Sequence, residues 1–209
     1  MNPKSEERTL LASVVMSSPG PLVVGAALLF GHSSTQLADF IRRTAELAAI
    51  IVSWLVFRIL HETGEPDIIR KDKLERIANL SVGAAMCMSG AAMMFIALFS
   101  PNTEKGNVIP GLIIAVLGVT TNSWFWLRYY KLNHKKPDAI LAVQSRLYRA
   151  KSLVDACVTI ALTFVAVAPG APAVRYVDLG GSIIVAAYLI INGIMTMRGS
   201  NGIIIRQQT

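Results

Sequence analysis

STQLADFIRRTAELAAIIVSW, residues 34–54, places four charged side chains inside a stretch that is otherwise apolar enough and long enough to cross a membrane. Asp39, Arg42, Arg43 and Glu46 fall within eight positions. Their spacing of i, i+3 or i+4, and i+7 puts them on one face of a helix. A charge at the centre of a bilayer costs several kcal/mol, so such groups face a bundle interior or a water cavity and pair with one another. The stretch therefore predicts a helical membrane bundle with a charged interior face.

The composition of the whole chain agrees with a membrane environment. Of 209 residues, 53% are hydrophobic and 16% are charged, and the mean hydropathy is +0.51. This composition is typical of integral membrane proteins, so the net charge of +7 is not taken as a sign of nucleic-acid binding. We find no Ser/His/Asp set, H-E-x-x-H pattern or Gly-rich phosphate loop, and we expect neither an enzyme nor a bound cofactor.

Six apolar segments are long enough to cross a bilayer, for which about 20 residues are needed. We predict an all-α integral membrane protein of six transmembrane helices, a single domain over residues 1–209 with no C-terminal cytoplasmic domain. The first segment contains Pro19, Gly20 and Pro21 but no small-residue cleavage site, so we interpret it as a retained helix. The predicted spans are 9–31, 35–60, 76–99, 107–130, 139–168 and 174–197.

The distribution of Lys and Arg predicts the orientation. With both termini inside, thirteen of these residues fall on the cytoplasmic side, against only Lys105 and Arg175 outside. Because cytoplasmic segments carry the excess of Lys and Arg, we predict a protein of the cell membrane with both termini in the cytoplasm. Within the fifth span, Arg146, Arg149 and Lys151 are expected to extend toward the cytoplasmic interface. The thirteen are Lys4, Arg8, Arg58, Arg70, Lys71, Lys73, Arg76, Arg128, Lys131, Lys135, Lys136, Arg198 and Arg206.

The fifth predicted span carries a second polar face, at a depth comparable with that of the charges on the second span. We predict that spans two and five face each other in a polar core. In that core Asp155 is available to neutralise Arg42 or Arg43. The polar face consists of Gln144, Tyr148, Ser152, Asp155 and Thr159.

A methionine-rich segment, MCMSGAAMM at residues 86–94, admits a soft-metal interpretation because thioether and thiolate ligands suit Cu(I). Helical spacing distributes these side chains around much of the circumference, so ordinary helix packing is the simpler interpretation. The small residues from Ser89 to Ala92, around Gly90, offer a face that another helix, or a helix of a second protomer, can approach.

Several segments resemble the transmembrane domain of the cation diffusion facilitator family. The most specific is SSTQLAD, residues 33–39, which leads into the polar second helix. Arg58 closes that helix, KLERIANL at residues 73–80 opens the third, and Val177 and Asp178 open the sixth. The resemblance covers nearly the whole chain. It implies a multi-pass secondary transporter with six helices that forms a homodimer in the lipid membrane.

The resemblance also implies a transport site, and here the sequence departs from the family. In that family two pairs of His or Asp, each with three residues between its members, build a tetrahedral Zn²⁺ site on helices two and five. The helix-two pair falls on Arg42 and Glu46, and the helix-five pair falls on Gln144 and Tyr148. Arg42 cannot lose its proton to coordinate a cation. We therefore expect the tetrahedral site to be lost, with Glu46 and Asp155 as the remaining metal-ligand candidates.

Three functional hypotheses follow. The first is a divergent transporter that moves a different cation through Asp39, Glu46 and Asp155, or an anionic or zwitterionic solute held by Arg42 and Arg43. The second is a non-transporting structural or partner-binding membrane protein whose charges specify helix packing. The third is a metal/proton antiporter with a displaced site. The cargo, the coupling ion and the direction of transport stay open. The transport-site candidates are Asp39, Arg42, Arg43, Glu46, Gln144, Tyr148 and Asp155.

Overall fold

The computed structural model is helical over almost all of the residues that it describes. These are residues 3–30, 34–62, 68–99, 109–167 and 172–205. In this part of the chain seven helices follow one another: α1 (Pro3–Ser17), α2 (Pro19–Phe30), α3 (Ser34–Glu62), α4 (Ile68–Phe99), α5 (Ile109–Lys135), α6 (Ala139–Val167) and α7 (Pro172–Ile205).

Long apolar stretches run through this bundle. Large apolar side chains such as Leu22, Ile184 and Met195 are more than 60% exposed on its outer surface. An apolar surface of this kind requires a lipid-like surrounding or a partner. The prediction of an all-α integral membrane protein is therefore confirmed, while the orientation of the termini stays a prediction. Within the described residues, four stretches are long and apolar enough to cross a membrane: Ser5–Ala26, Phe40–His61, Ile68–Phe99 and Leu179–Gly199.

The first predicted span, 9–31, consists of two helices, α1 and α2, with a break at Ser18. Pro19 has no N–H to donate to the carbonyl of Val15, four residues earlier, and its ring crowds that carbonyl. The hydroxyl of Ser18 donates to the Val15 carbonyl oxygen at 2.9 Å instead. The proline thus interrupts the helix while the freed carbonyl keeps a hydrogen-bond partner.

The third predicted span begins earlier than its apolar pattern indicates. The predicted span begins at residue 76, but α4 already begins at Ile68. Its charged first turns include Lys71 and Glu75, whose Nζ and Oε1 atoms lie 3.8 Å apart at i, i+4 spacing. Such pairs stabilise a helix exposed to water, so the charged segment extends the helix beyond the apolar part.

A tight turn joins α5 to α6. The predicted spans end at residue 130 and resume at residue 139, but α5 continues to Lys135 and leaves only residues 136–138 between the helices. Asp138 caps α6, because its Oδ1 accepts hydrogen bonds from the N–H groups of Ile140 at 2.9 Å and Leu141 at 3.1 Å. The two helices therefore form an antiparallel hairpin and pack along their length.

Glycines allow α4 and α7 to approach closely. A Cβ atom added at Gly193 would lie 2.7 Å from the carbonyl oxygen of Gly83, and one added at Gly90 would lie 2.8 Å from that of Ala186. These distances leave no room for a side chain, so backbone packs directly against backbone. The small-residue face around Gly90 is thus covered by α7 of the same chain.

Tyr129 of α5 connects the helical hairpin to α1. Its hydroxyl donates to Ser13 Oγ at 2.8 Å, and its fully buried ring stacks on Tyr148, with 5.5 Å between ring centroids. A buried hydroxyl needs such a partner, because leaving it unpaired costs about 1–3 kcal/mol. These contacts therefore hold the part of α1 that precedes the break at Ser18 against α5 and α6.

Tyr129→Phe is expected to lower the free energy of unfolding by about 1 kcal/mol, because the variant loses the hydrogen bond to Ser13 but keeps the ring packing. Denaturant titration in detergent measures this difference. Tyr130→Phe is the control, since the side chain of Tyr130 is 58% exposed. Equal losses in the two variants would contradict a structural role for the Tyr129 hydroxyl.

Candidate functional site

A cavity of about 750 Å³ lies between α3, α5 and α6, beside the break that separates α1 from α2. Much of its wall is apolar, but charged side chains line it from α3 and α6. Because a low-dielectric surrounding strengthens every charge interaction, these groups influence one another strongly. The charged lining residues are Arg42, Arg43, Glu46, Lys151 and Asp155.

Glu46 lies at the point where three helices meet. Its Oε1 accepts a hydrogen bond from Ser89 Oγ of α4 at 2.9 Å and lies 3.8 Å from Nη1 of Arg42 on its own helix. Its Oε2 lies 3.4 Å from Nζ of Lys151 on α6. The carboxylate is buried, so these contacts replace the water that would otherwise solvate it. Glu46 therefore joins α3, α4 and α6 through one charge.

The position of Lys151 differs from the one predicted from the sequence. We predicted that this side chain would extend to the cytoplasmic interface, but it is 15% exposed and pairs with Glu46. Its ammonium also lies 5.1 Å from the ring centroid of Tyr148, one turn earlier on α6. The reason is the position of Glu46 on α3, since an ammonium gains more beside a buried carboxylate and an aromatic face than in the partial hydration of the interface.

Asp155 is held by α5. Its Oδ2 accepts a hydrogen bond from Nδ2 of Asn122 at 2.6 Å, and a Cβ atom added at Gly118 would lie 2.6 Å from the same oxygen. One turn earlier the hydroxyls of Ser123 and Ser152 are 2.6 Å apart. The absence of a side chain at Gly118 thus makes the room in which the carboxylate sits.

The remaining predicted site residues have different positions. Arg43 lines the cavity and reaches the start of α2, where a Cβ atom at Gly20 would lie 3.3 Å from its Nη1. Tyr148 also lines the cavity. Gln144 is fully buried away from the cavity lining, and its amide has no hydrogen-bond partner among the described residues. Asp39 lies in α3, but its side chain falls outside the described part of the structure.

The sequence analysis missed three members of this site: Lys151, Ser89 and Asn122. A signal for Lys151 was available, because Tyr148, Lys151 and Asp155 follow i, i+3, i+7 spacing and share a helix face. Ser89 and Asn122 had no comparable signal. Each lies on another helix, and only the packing of that helix brings its side chain to a carboxylate.

The acidic groups of the cavity do not form a conventional metal centre. Among the described residues, no three His, Cys, Asp or Glu side chains are close enough to hold a metal ion together. A tetrahedral Zn²⁺ site needs at least three protein ligands. Glu46 and Asp155 are the acidic residues that line the cavity, and Glu46 already faces two cations of the chain itself.

Comparison with protein-family models matches residues 10–204 to the cation efflux transmembrane domain. The chain belongs to the cation efflux family. The resemblance to the cation diffusion facilitators is thereby confirmed, and it supports a cation-transporter-like function in a multi-pass membrane protein. Members of the cation efflux family are transporters rather than enzymes. No curated protein matches the sequence significantly.

Within this cation efflux domain, α3 and α6 correspond to the second and fifth predicted spans, since α1 and α2 together make the first. The sequence analysis predicted Glu46, on α3, as the family position that keeps an acidic residue. In this cation efflux protein, the ammonium of Lys151 and the guanidinium of Arg42 lie beside that residue. Two cations of the chain itself therefore face the carboxylate of Glu46.

Proposed function

We propose that the chain is a divergent secondary transporter of the cation efflux family, with its cargo site in the cavity between α3, α5 and α6. One observation carries this proposal: five charged side chains line a single cavity within an apolar bundle. Charges at membrane depth are expensive, and where they occur they mark substrate or ion pathways. The proposed site consists of Arg42, Arg43, Glu46, Tyr148, Lys151 and Asp155, with Asp39 and Gln144 on the same helices.

The proposed site works without the tetrahedral zinc geometry of the family. Arg42 keeps its proton at any physiological pH, so it cannot act as a ligand. A cargo cation would instead meet the carboxylates of Glu46 and Asp155, which both line the cavity. The contact between Glu46 and Lys151 couples α3 to α6, so a change at the carboxylate is transmitted to both helices.

We propose that both termini face the cytoplasm and that the protein forms a homodimer in the cell membrane. The orientation is supported by the grouping of basic helix ends. Arg128 near the end of α5 donates to Ser5 at the start of α1, at 3.5 Å. Lys71 of α4 and Asp138, the cap of α6, line one shallow cleft. The Lys- and Arg-rich ends thus lie together, as the cytoplasmic side of a membrane protein requires.

A flux assay tests the transporter proposal. Protein in lipid vesicles is expected to move at least one ion of a panel of cations and anions above the level of empty vesicles, with and without a pH gradient. Arg42→Ala is expected to lower that flux about tenfold, which corresponds to the loss of about 1.4 kcal/mol at the site.

Arg70→Ala is the matched control, because Arg70 is exposed near the start of α4 and outside the cavity. It is expected to leave flux unchanged. If folded protein moved no ion of the panel above the level of empty vesicles, the transporter proposal would fail.

A structural protein is the second candidate, and the geometry at Glu46 favours it. A single carboxylate contacts side chains of α3, α4 and α6, which is how a buried charge can specify one packing arrangement. This candidate predicts the same stability effects at Glu46 but no flux of any ion. The vesicle experiment therefore separates the two candidates.

A further inference from the structure

We propose that Lys151 occupies, at Glu46, the place that a cargo cation takes during transport. The ion pair and a bound cation then exclude one another, so Lys151 determines how readily the site accepts cations. This inference rests on the proposed function and adds the residue that limits binding of a cargo cation.

The contacts of Glu46 identify the contested atom. Ser89 donates to Oε1 at 2.9 Å, and Arg42 faces the same oxygen at 3.8 Å. On Oε2 the contact is the ammonium of Lys151, at 3.4 Å. Both side chains of this pair are largely buried, with 8% of Glu46 and 15% of Lys151 exposed. A cation that enters the cavity and approaches Oε2 must therefore displace the ammonium.

Lys151 contacts a second group in the position that it occupies beside Glu46. The ring centroid of Tyr148 is 5.1 Å from its Nζ, within the range of a cation–π interaction. Lysine carries its charge on a flexible four-carbon stem, so the ammonium can give up the carboxylate while it stays beside the aromatic face. The ammonium keeps a favourable partner inside the cavity after it leaves Glu46. Displacement by a cargo cation thus does not require the charge to leave the protein.

The cavity also offers the incoming cation a second carboxylate. Asp155 lies one turn after Lys151 on α6, and its Oδ2 accepts a hydrogen bond from the neutral amide of Asn122. Both carboxylates line the same cavity. As long as the ammonium stays beside Glu46, it repels a second cation at short range. The ammonium therefore opposes the entry of cations to the acidic side of the cavity, in addition to the guanidinium of Arg42.

Zn²⁺ binding to the purified protein in detergent, measured by titration calorimetry, tests this inference. Lys151→Met removes the competing charge and keeps a side chain of similar length. It is expected to bind Zn²⁺ about tenfold more tightly than the natural protein, because the repulsion between the ammonium and the metal is lost. The double variant Glu46→Gln/Lys151→Met is expected to return to the natural affinity, since the contested carboxylate is gone.

Lys71→Met is the matched control. Lys71 pairs with Glu75 at 3.8 Å on the surface of α4, so this variant also leaves a carboxylate without its lysine, but outside the cavity. It is expected to leave Zn²⁺ affinity unchanged. A gain as large as that of Lys151→Met would mean that any bare carboxylate suffices, and the inference would be wrong.

Lys151→Gln provides a second test, because its amide can still donate to Glu46 and support the fold. If folded Lys151→Met and Lys151→Gln bind Zn²⁺ no more tightly than the natural protein, the inference is overturned. If neither variant folds, Lys151 is a packing residue and the inference is equally overturned. Vesicle flux separates this failure from failure of the transporter proposal. If the natural protein transports an ion but the variants gain no Zn²⁺ affinity, only the proposed role of Lys151 is disproved.

Discussion

Glu46→Gln is expected to lower the free energy of unfolding by about 3–5 kcal/mol, because it leaves Lys151 and Arg42 as cations in a buried site without their counter-charge. Removing one partner of a buried ion pair is costly in this way even where the pair itself adds little stability. Unfolding in detergent, followed by circular dichroism during denaturant titration, measures the loss.

Two comparisons make the Glu46 result specific. Glu75→Gln breaks the contact with Lys71. The distance in this contact, 3.8 Å, equals that between Glu46 and Arg42, but the side chain of Lys71 is 55% exposed. It is expected to cost less than about 1 kcal/mol, as exposed pairs do. Glu46→Gln/Lys151→Met is expected to recover part of the loss, because the uncompensated ammonium is removed. Similar losses for Glu46→Gln and Glu75→Gln would show that burial does not increase the stability cost of removing the carboxylate.

Gly193→Ala is expected to destabilise the bundle by about 2–3 kcal/mol, because the added Cβ atom meets backbone of α4 and forces the helices apart. The atom would lie 2.7 Å from the carbonyl oxygen of Gly83 and 2.6 Å from Sγ of Cys87. A carbonyl oxygen in a helix cannot move away without breaking its own hydrogen bond, so the α4–α7 contact must open. The midpoint of thermal unfolding in detergent reports the loss.

Gly199→Ala is the control for this prediction, since Gly199 lies in the same helix and an added Cβ atom meets nothing within 4 Å. Alanine favours a helix over glycine by about 0.5–1 kcal/mol, so this variant is expected to be neutral or slightly more stable. If Gly193→Ala were as stable as Gly199→Ala, close contact of the two backbones would not be needed for the fold.

The free-energy cost of placing a charge in lipid was enough to predict the charged inner face of α3 from the sequence. Arg42, Arg43 and Glu46 cannot face lipid, and all three line the cavity. The break of the first span also had a local signal, since Pro19 and Pro21 cannot donate to the preceding turn. The early start of α4 at Ile68 was missed, because charged residues at the end of a membrane helix do not continue its apolar pattern.

Lys151 shows why the membership of the site was harder to predict. From the sequence alone, a lysine in a membrane helix can extend to the interface or turn inward, and its long side chain permits both. The choice depends on what lies opposite. Here the opposite group is the carboxylate of Glu46 on α3, more than one hundred positions away in the chain.

The amino-acid sequence by itself determined that this protein is an all-helical membrane bundle with a charged interior. Hydropathy and helical spacing are local properties, and the cost of a charge in lipid holds for any arrangement of the helices. Only the tertiary structure decided which charges meet. Contacts such as those of Glu46 with Ser89 and Lys151, or of Gly193 with Gly83, depend on the rotation and depth of helices distant in sequence, which are set by side-chain packing of the whole bundle.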